Sequence, residues 1–355
     1  MVEKRIALDV MGGDHAPSAI LDGALLAVSA EREAKLEPGR ILLVGDQSMI
    51  EAHLEAAGGN PGFGIQHASQ VIGMDESPAI ALRAKRDSSI GVCVKAIRKG
   101  EASAMVSMGN TGACVGAATL GLGTLEGVRR PGIAITLRLT GQPVTLLDMG
   151  ANIACKPEHL LQYGVMGSVF LRDLLGVENA RIGLLNIGEE PSKGTDLNKA
   201  AHELLSSAPL NFVGNVEGTD VFAGATDVVV TDGYTGNVVL KLMEGLSGFL
   251  MKLVAKELKA HGADWVGDVL GSLYRHTDYA EYGGALLLGV RGTVVIGHGR
   301  SDAAAVANAL GLAARALDAC VDEHIVEGVA AFALSQGENP EDGEQSSGEP
   351  RVSAR

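Results

Sequence analysis

The chain has 355 residues, 46% of them hydrophobic, ample for a large buried core. Aromatic residues make up 3% and the formal net charge is -14, so the chain lacks both the rings that stack on bases and the basic field that binds a phosphate backbone. No nucleic-acid partner is expected. Cys93, Cys114, Cys155 and Cys320 form no CxxC pair and have no histidine at ligand spacing, so neither a metal site nor a disulfide framework is expected.

At the N-terminus, the charges of Glu3, Lys4 and Arg5 precede an apolar run that Asp9 and Asp14 interrupt. That is neither a signal peptide nor a spanning helix, which needs about 20 apolar residues, and a reducing, cytoplasmic location is expected. Strands are predicted at Arg5–Val10, Arg40–Val44, Ala104–Val106, Ile133–Leu137, Thr145–Leu147, Ile182–Leu185, Asn211–Val213, Val228–Val230 and Thr293–Ile296. Helical stretches alternate with them, which predicts an α/β fold with a mainly parallel sheet covered by helices on both faces. Most strands run into a glycine-bearing loop, and ligands in such sheets bind outside the carboxyl ends of the strands. The loops are therefore expected to converge on one site.

Two segments break the alternation. From Val238 to about Tyr279, apolar Leu246, Phe249, Leu250, Leu253, Val254 and Leu258 fall at helical spacing, with Gly262 as a break. This predicts a helical insertion, over roughly 238–280, within a single domain covering 1–335. Its apolar positions are too many for one face of an isolated helix, which points to a second copy of the chain. The remainder, 336–355, turns to Gly, Glu, Pro, Ser and Asp and is expected to be disordered.

The loops carry the chemistry. Met108-Gly109-Asn110-Thr111-Gly112 precedes a helical run, so it can hold a phosphate on main-chain N–H groups with help from Asn110 and Thr111. Its glycines can equally serve only to relieve a tight turn. No Walker pattern is present, because Lys193 precedes Gly194, and no Gly-x-Gly-x-x-Gly follows the first strand. Lys193 is either a solvated partner of Glu189 and Glu190 or a cation that stabilises an anionic transition state. His15 and His298 sit in post-strand loops where a general base could stand. Cys114 reads as packing, and with no Gly-x-Ser-x-Gly elbow a covalent acyl-enzyme is not expected.

Six pieces, in order, resemble the bacterial phosphate acyltransferases of phospholipid synthesis, the PlsX family. They are Asp9 to Pro17, Gly109 to Ala113, Leu147 to Asn152, Gly183 to Glu190, Gly214 to Asp220 and Asp232 to Asn237, within a match from about Arg5 to Ala330. The family departs from this chain at Leu286, where proline is usual, at Arg291, where asparagine is common, and at Gly132, where alanine is usual. The resemblance implies a Rossmann-like αβα sandwich of the isocitrate-dehydrogenase-like type. It implies transfer of a long acyl group from acyl carrier protein to inorganic phosphate, with no metal or organic cofactor. It implies a homodimer in peripheral contact with the membrane, where a membrane acyltransferase uses the acyl phosphate.

That chemistry suits the residue inventory, since phosphate is already in part a dianion near pH 7 and a thiol of pKa roughly 8.5 leaves readily. Phosphate is assigned to Gly12, Gly13, Asn110, Thr111 and Gly112, and transition-state charge to Lys193. Asn152 and Asn237 are positioning groups, and His15 is the candidate base. An acidic carrier needs a local basic patch, for which Arg83, Lys85, Arg98 and Lys99 are the candidates, across two short helices opened by Ser77-Pro78 and by Ser88 or Ser89. Trp265 and Val266, preceded by Lys252, Lys256 and Lys259, are the candidate membrane contact, with packing in a dimer as the alternative. A short-chain phosphate acetyltransferase-like enzyme and a non-catalytic membrane scaffold of lipid synthesis remain the competing functions.

Overall fold

The structure, a computed structural model, describes residues 4–30, 32, 34–138, 142–260 and 283–335. Its strands are β1 (Ile6–Asp9), β2 (Ile41–Gly45), β3 (Gly64–His67), β4 (Ala104–Ser107), β5 (Gly132–Arg138), β6 (Pro143–Leu147), β7 (Ile182–Leu185), β8 (Phe212–Val216), β9 (Val228–Val230), β10 (Ala285–Leu288) and β11 (Thr293–Ile296). The helices are α1 (Ser18–Ala27), α2 (Gln47–Ala56), α3 (Pro78–Ala84), α4 (Ser89–Arg98), α5 (Thr111–Leu122), α6 (Pro157–Leu175), α7 (Asp196–Ser207), α8 (Gly218–Ala223), α9 (Gly233–Ala260), α10 (Ala303–Asp318) and α11 (Val321–Ser335).

Successive strand residues point to opposite faces, and here both faces are apolar. Along β1, Ile6 and Leu8 join a core that includes Ile20 and Leu21 of α1 and Leu310 of α10. Ala7, between them, packs with Ile90 and Val94 of α4 and Ala117 of α5 on the other face. A helix layer on each side of one sheet is the predicted αβα sandwich.

All nine predicted strands are present, and the structure adds β3 and β10. Neither has the β-branched run that marks a strand: β3 reads Gly-Ile-Gln-His at a half-exposed edge, and β10 is a Leu-rich run of four residues. The strand order is β3-β2-β1-β4-β11-β10-β5-β6-β9-β7-β8, and every pair is parallel except β11 with β10, β10 with β5, and β5 with β6. Three antiparallel pairings in succession reverse the sheet, so β1, β2, β4 and β11 run opposite to β6, β7, β8 and β9. The glycine loops after the first group lie on one edge of the sheet, and those after the second group lie on the other. One chain does not bring them together, which corrects the expectation of convergence.

The helical insertion begins earlier than predicted, because α9 starts at Gly233 directly after β9 and runs for 28 residues. Only Gly233, Gly236 and Leu240 of it are buried. Val238, Leu242, Leu246, Phe249, Leu250, Leu253 and Val254 are exposed along it at three- and four-residue intervals, a continuous apolar stripe. Trp265, Val266 and the 336–355 segment lie outside the described residues. No single described helix is long and apolar enough to cross a membrane; α10 and α11 together pass on length and composition, but most of α10 is buried core.

Candidate active site

The first constellation stands at the carboxyl ends of β1, β4 and β11. At its base is Asp9, fully buried. Ser107 Oγ donates to Asp9 Oδ2 at 2.6 Å, the Met11 amide donates to Oδ1 at 3.1 Å, and Ser89 and the Gly12 amide add further donors. Burial raises the Asp9 carboxyl above its ordinary range against the pull of those donors. Glycine is required at Gly12, where a Cβ would lie 2.5 Å from Asp9 Oδ2 and 2.7 Å from the Gly109 nitrogen. Gly13, at a φ of 103°, turns the chain over Met108, and the next amide, of Asp14, donates to Gly299 O at 2.7 Å. The three loops are thus one packed unit.

Asn110 caps α5 by accepting the Ala113 amide at 3.0 Å. Its side-chain NH2 donates to the carbonyls of Gly73, Met74 and Glu76. The amide is consumed by the fold, so Asn110 does not offer phosphate the side-chain bond predicted for it. The open donors are main-chain ones: the N–H groups of Gly13, Thr111 and Gly112 have no partner among the described residues. Thr111 and Gly112 are exposed in the first turn of α5, where the helix dipole favours an anion. His15 is exposed on the same edge, as is Arg300, which makes no ion pair among the described residues. Ser301 Oγ is buried with no hydrogen-bond partner there.

The second constellation stands at the ends of β6, β7 and β9, on the opposite edge. Asp148 is fully buried and accepts four amides: those of Ile133, Gly150 and Ala151 on Oδ1, and that of Asn152 on Oδ2. Burial raises its carboxyl too. Asn152 donates to Pro131 O and to Tyr163 OH, so it braces the turn and has no free donor for a substrate. Asn237 is exposed on the first turns of α9, beside Gly150. Lys193 is half exposed, its Nζ 3.9 Å from Glu190 Oε2, in a pairing that solvent screens. Lys193, Asn152 and Asn237 all follow strands that end on this edge, away from the phosphate loops of the same chain.

A family model described as "Fatty acid synthesis protein" matches residues 4–324. The chain is 45% identical over 336 residues to a phosphate acyltransferase of Nitratidesulfovibrio vulgaris, an alignment spanning 92% of this chain and 95% of that one. It is 47% identical over 332 residues to a phosphate acyltransferase of Heliobacterium modesticaldum, spanning 90% and 97%. The chain belongs to this family. As a phosphate acyltransferase it shares its fold with a phosphotransacetylase from Streptococcus pyogenes, at a TM-score of 0.60 and 17% identity over 89% of this chain and 94% of that one. A branched-chain phosphotransacylase from Enterococcus faecalis superposes at a TM-score of 0.52 and 14% identity, covering 88% and 98%.

In this acyltransferase the predicted carrier patch is not one surface. Ser88 caps α4 by accepting the Gly91 amide, and Ser89 reaches Asp9 at the first edge. Eight residues after Ser89, about 12 Å along the axis, Ile97 packs at Gly292 in the turn before β11. Arg98 and Lys99 therefore stand at the far end of α4 from Arg83 and Lys85. Two of the four charges are also engaged, Lys85 by Glu76 and Lys99 by Glu101. Asp9, Ser107, Arg300 and Ser301 are the functional candidates that sequence reasoning passed over. The signal was present for Arg300 and Ser301, which directly follow the Gly297-His298-Gly299 loop.

Proposed function

We propose that the enzyme transfers a long-chain acyl group from acyl carrier protein to inorganic phosphate at the first constellation, giving acyl phosphate and free carrier protein for phospholipid synthesis. The observation that carries this is the set of N–H groups of Gly13, Thr111 and Gly112 that have no partner among the described residues, on an edge that also holds Arg300, a cation without an ion pair among those residues. These groups hold the phosphate dianion. A phosphate oxygen attacks the thioester carbonyl, the new C–O bond forms, and the C–S bond breaks as the thiolate leaves. In this reading His15, exposed on the same edge, passes a proton to the departing sulfur, and donors aimed at the carbonyl oxygen are worth roughly 3 kcal/mol each. The reading calls for no metal and no organic cofactor.

The exposed stripe on α9 supports a homodimer. Lys193 and Asn237 can serve the reaction only across such an interface, because one chain holds them on the edge away from its own phosphate loops. The same reading takes the enzyme as cytoplasmic, in peripheral contact with the membrane through Trp265 and Val266, and as a supplier of acyl phosphate to a membrane acyltransferase. The experiment is to incubate the protein with palmitoyl-carrier protein and phosphate and trap acyl phosphate with hydroxylamine. Product that needs phosphate and survives chelator supports the reading; turnover without phosphate, or of acetyl thioesters alone, overturns it.

A further inference from the structure

Between β3 and α4 the chain forms a strap over the first constellation. Asn110 holds it from beneath through the carbonyls of Gly73, Met74 and Glu76, at 3.3, 3.0 and 3.0 Å. Its own turn is closed by Glu76 Oε1, which accepts the Gly73 amide at 2.7 Å. Lys85 locks the far end, donating to Val71 O at 2.7 Å and to Glu76. The strap touches the cradle directly: Pro78 lies over Gly112, where a Cβ would come within 2.6 Å of its Cγ, and Met74 Cε lies over Gly299. So tethered, the strap has little freedom, yet it keeps three large apolar side chains in solvent, Val71, Met74 and Ile80, the last 70% exposed.

We infer that this outer edge of the strap seats the acyl chain of the thioester, with Met74 and Ile80 setting the preference for chain length. The inference rests on the long-chain reading above. A carbonyl attacked by a phosphate at Thr111 and Gly112 must lie within about 3.5 Å of it, so its acyl chain has to leave along a surface continuous with that cradle. The strap is continuous with it through Pro78 and Met74. Arg83 and Arg86, exposed and without an ion pair among the described residues, follow Ile80 within six residues along the chain. They suit the acidic protein that delivers the chain, whereas the apolar stripe of α9, on the other edge, suits a second copy.

The test compares kcat/KM for palmitoyl- and butyryl-carrier protein in wild type, in Ile80→Ser, and in the double variant Met74→Ser with Ile80→Ser. The expected result is a palmitoyl-to-butyryl ratio lowered at least tenfold in the double variant and several-fold in Ile80→Ser, with Ile80→Trp shifting the optimum to shorter chains. Because Ile80 is a surface residue, the single variant keeps its melting temperature and stays interpretable if the double variant does not fold. An unchanged ratio, whether both substrates are lost equally or neither is affected, overturns the strap as the acyl seat and leaves the long-chain reading standing. A wild type that uses butyryl- but not palmitoyl-carrier protein overturns both.

Discussion

Ser107 joins two loops by facing Asp9: its hydroxyl donates to the buried carboxylate at 2.6 Å and accepts the Gly109 amide at 3.0 Å. The backbone after β4 is thereby tied to the backbone after β1, which Asp9 holds through the amides of Met11 and Gly12.

Ser107→Ala leaves Gly109 N–H and Asp9 Oδ2 each short of a partner in the interior, at a cost of about 1–3 kcal/mol. Urea denaturation is expected to show that loss. Trapped acyl phosphate is expected to fall by more than the folded fraction explains, because Gly12, Gly13 and Gly109 shift together. Full activity in a destabilised variant would confine Ser107 to a role in folding.

Asp322, in the first turn of α11, has its carboxyl pushed up to about 7 by burial and by the neighbouring Glu323, against the pull of the Gly292 amide. A raised folded-state value means that its contribution to stability is complete below about pH 4 and is lost as pH rises through 7, at up to about 1.4 kcal/mol per pH unit. Asp322→Asn keeps an acceptor for Gly292 and is expected to flatten the fall in melting temperature between pH 5 and pH 8. Parallel curves for wild type and variant would count against it.

The cysteines are expected to be poor nucleophiles. Burial pushes the Cys93 thiol well up and Cys114 to about 12, and it raises Cys155 as well. Iodoacetamide at pH 8 should leave Cys93 and Cys114 unmodified in the native enzyme, as read by mass spectrometry, and Cys114→Ala should keep activity within about twofold. Rapid alkylation of Cys114 with loss of turnover would reopen the acyl-enzyme route.

Arg300→Ala and Lys193→Ala are both substitutions of exposed cations, so neither is expected to lower the melting temperature. Each is expected to lower kcat by roughly tenfold to a hundredfold. Because a single chain holds the two residues on opposite edges, subunits carrying one change each should, after mixing and exchange, recover about a quarter of wild-type activity, from the intact site in each mixed dimer. No recovery would mean that the two residues act within one chain or that Lys193 is only a surface charge.

What the sequence by itself determined is local. The apolar runs placed nine strands, Ser88 was readable as a cap, and the glycine clusters marked the strand ends, because period, caps and turn chemistry depend on residues a few positions apart. Asp9 and Asp148 were visible as carboxylates near glycines, but their work is to accept donors, and the Ser107 hydroxyl on Asp9 and the Ile133 amide on Asp148 come from other segments of the chain. The same holds for Asn110, read as a phosphate ligand, and Asn152, read as a positioning group, which prove to be braces once the carbonyls of Met74 and Pro131 are brought up to them. Above all, tertiary structure decided where the loops point. The two antiparallel pairings of β10, with β11 and with β5, cancel each other, and it is the antiparallel pairing of β5 with β6 that turns half of the strand ends to the other edge. β5 and β6 are close in the chain, but which strands stand beside each of them is settled by pairing between distant segments, and no local pattern encodes that.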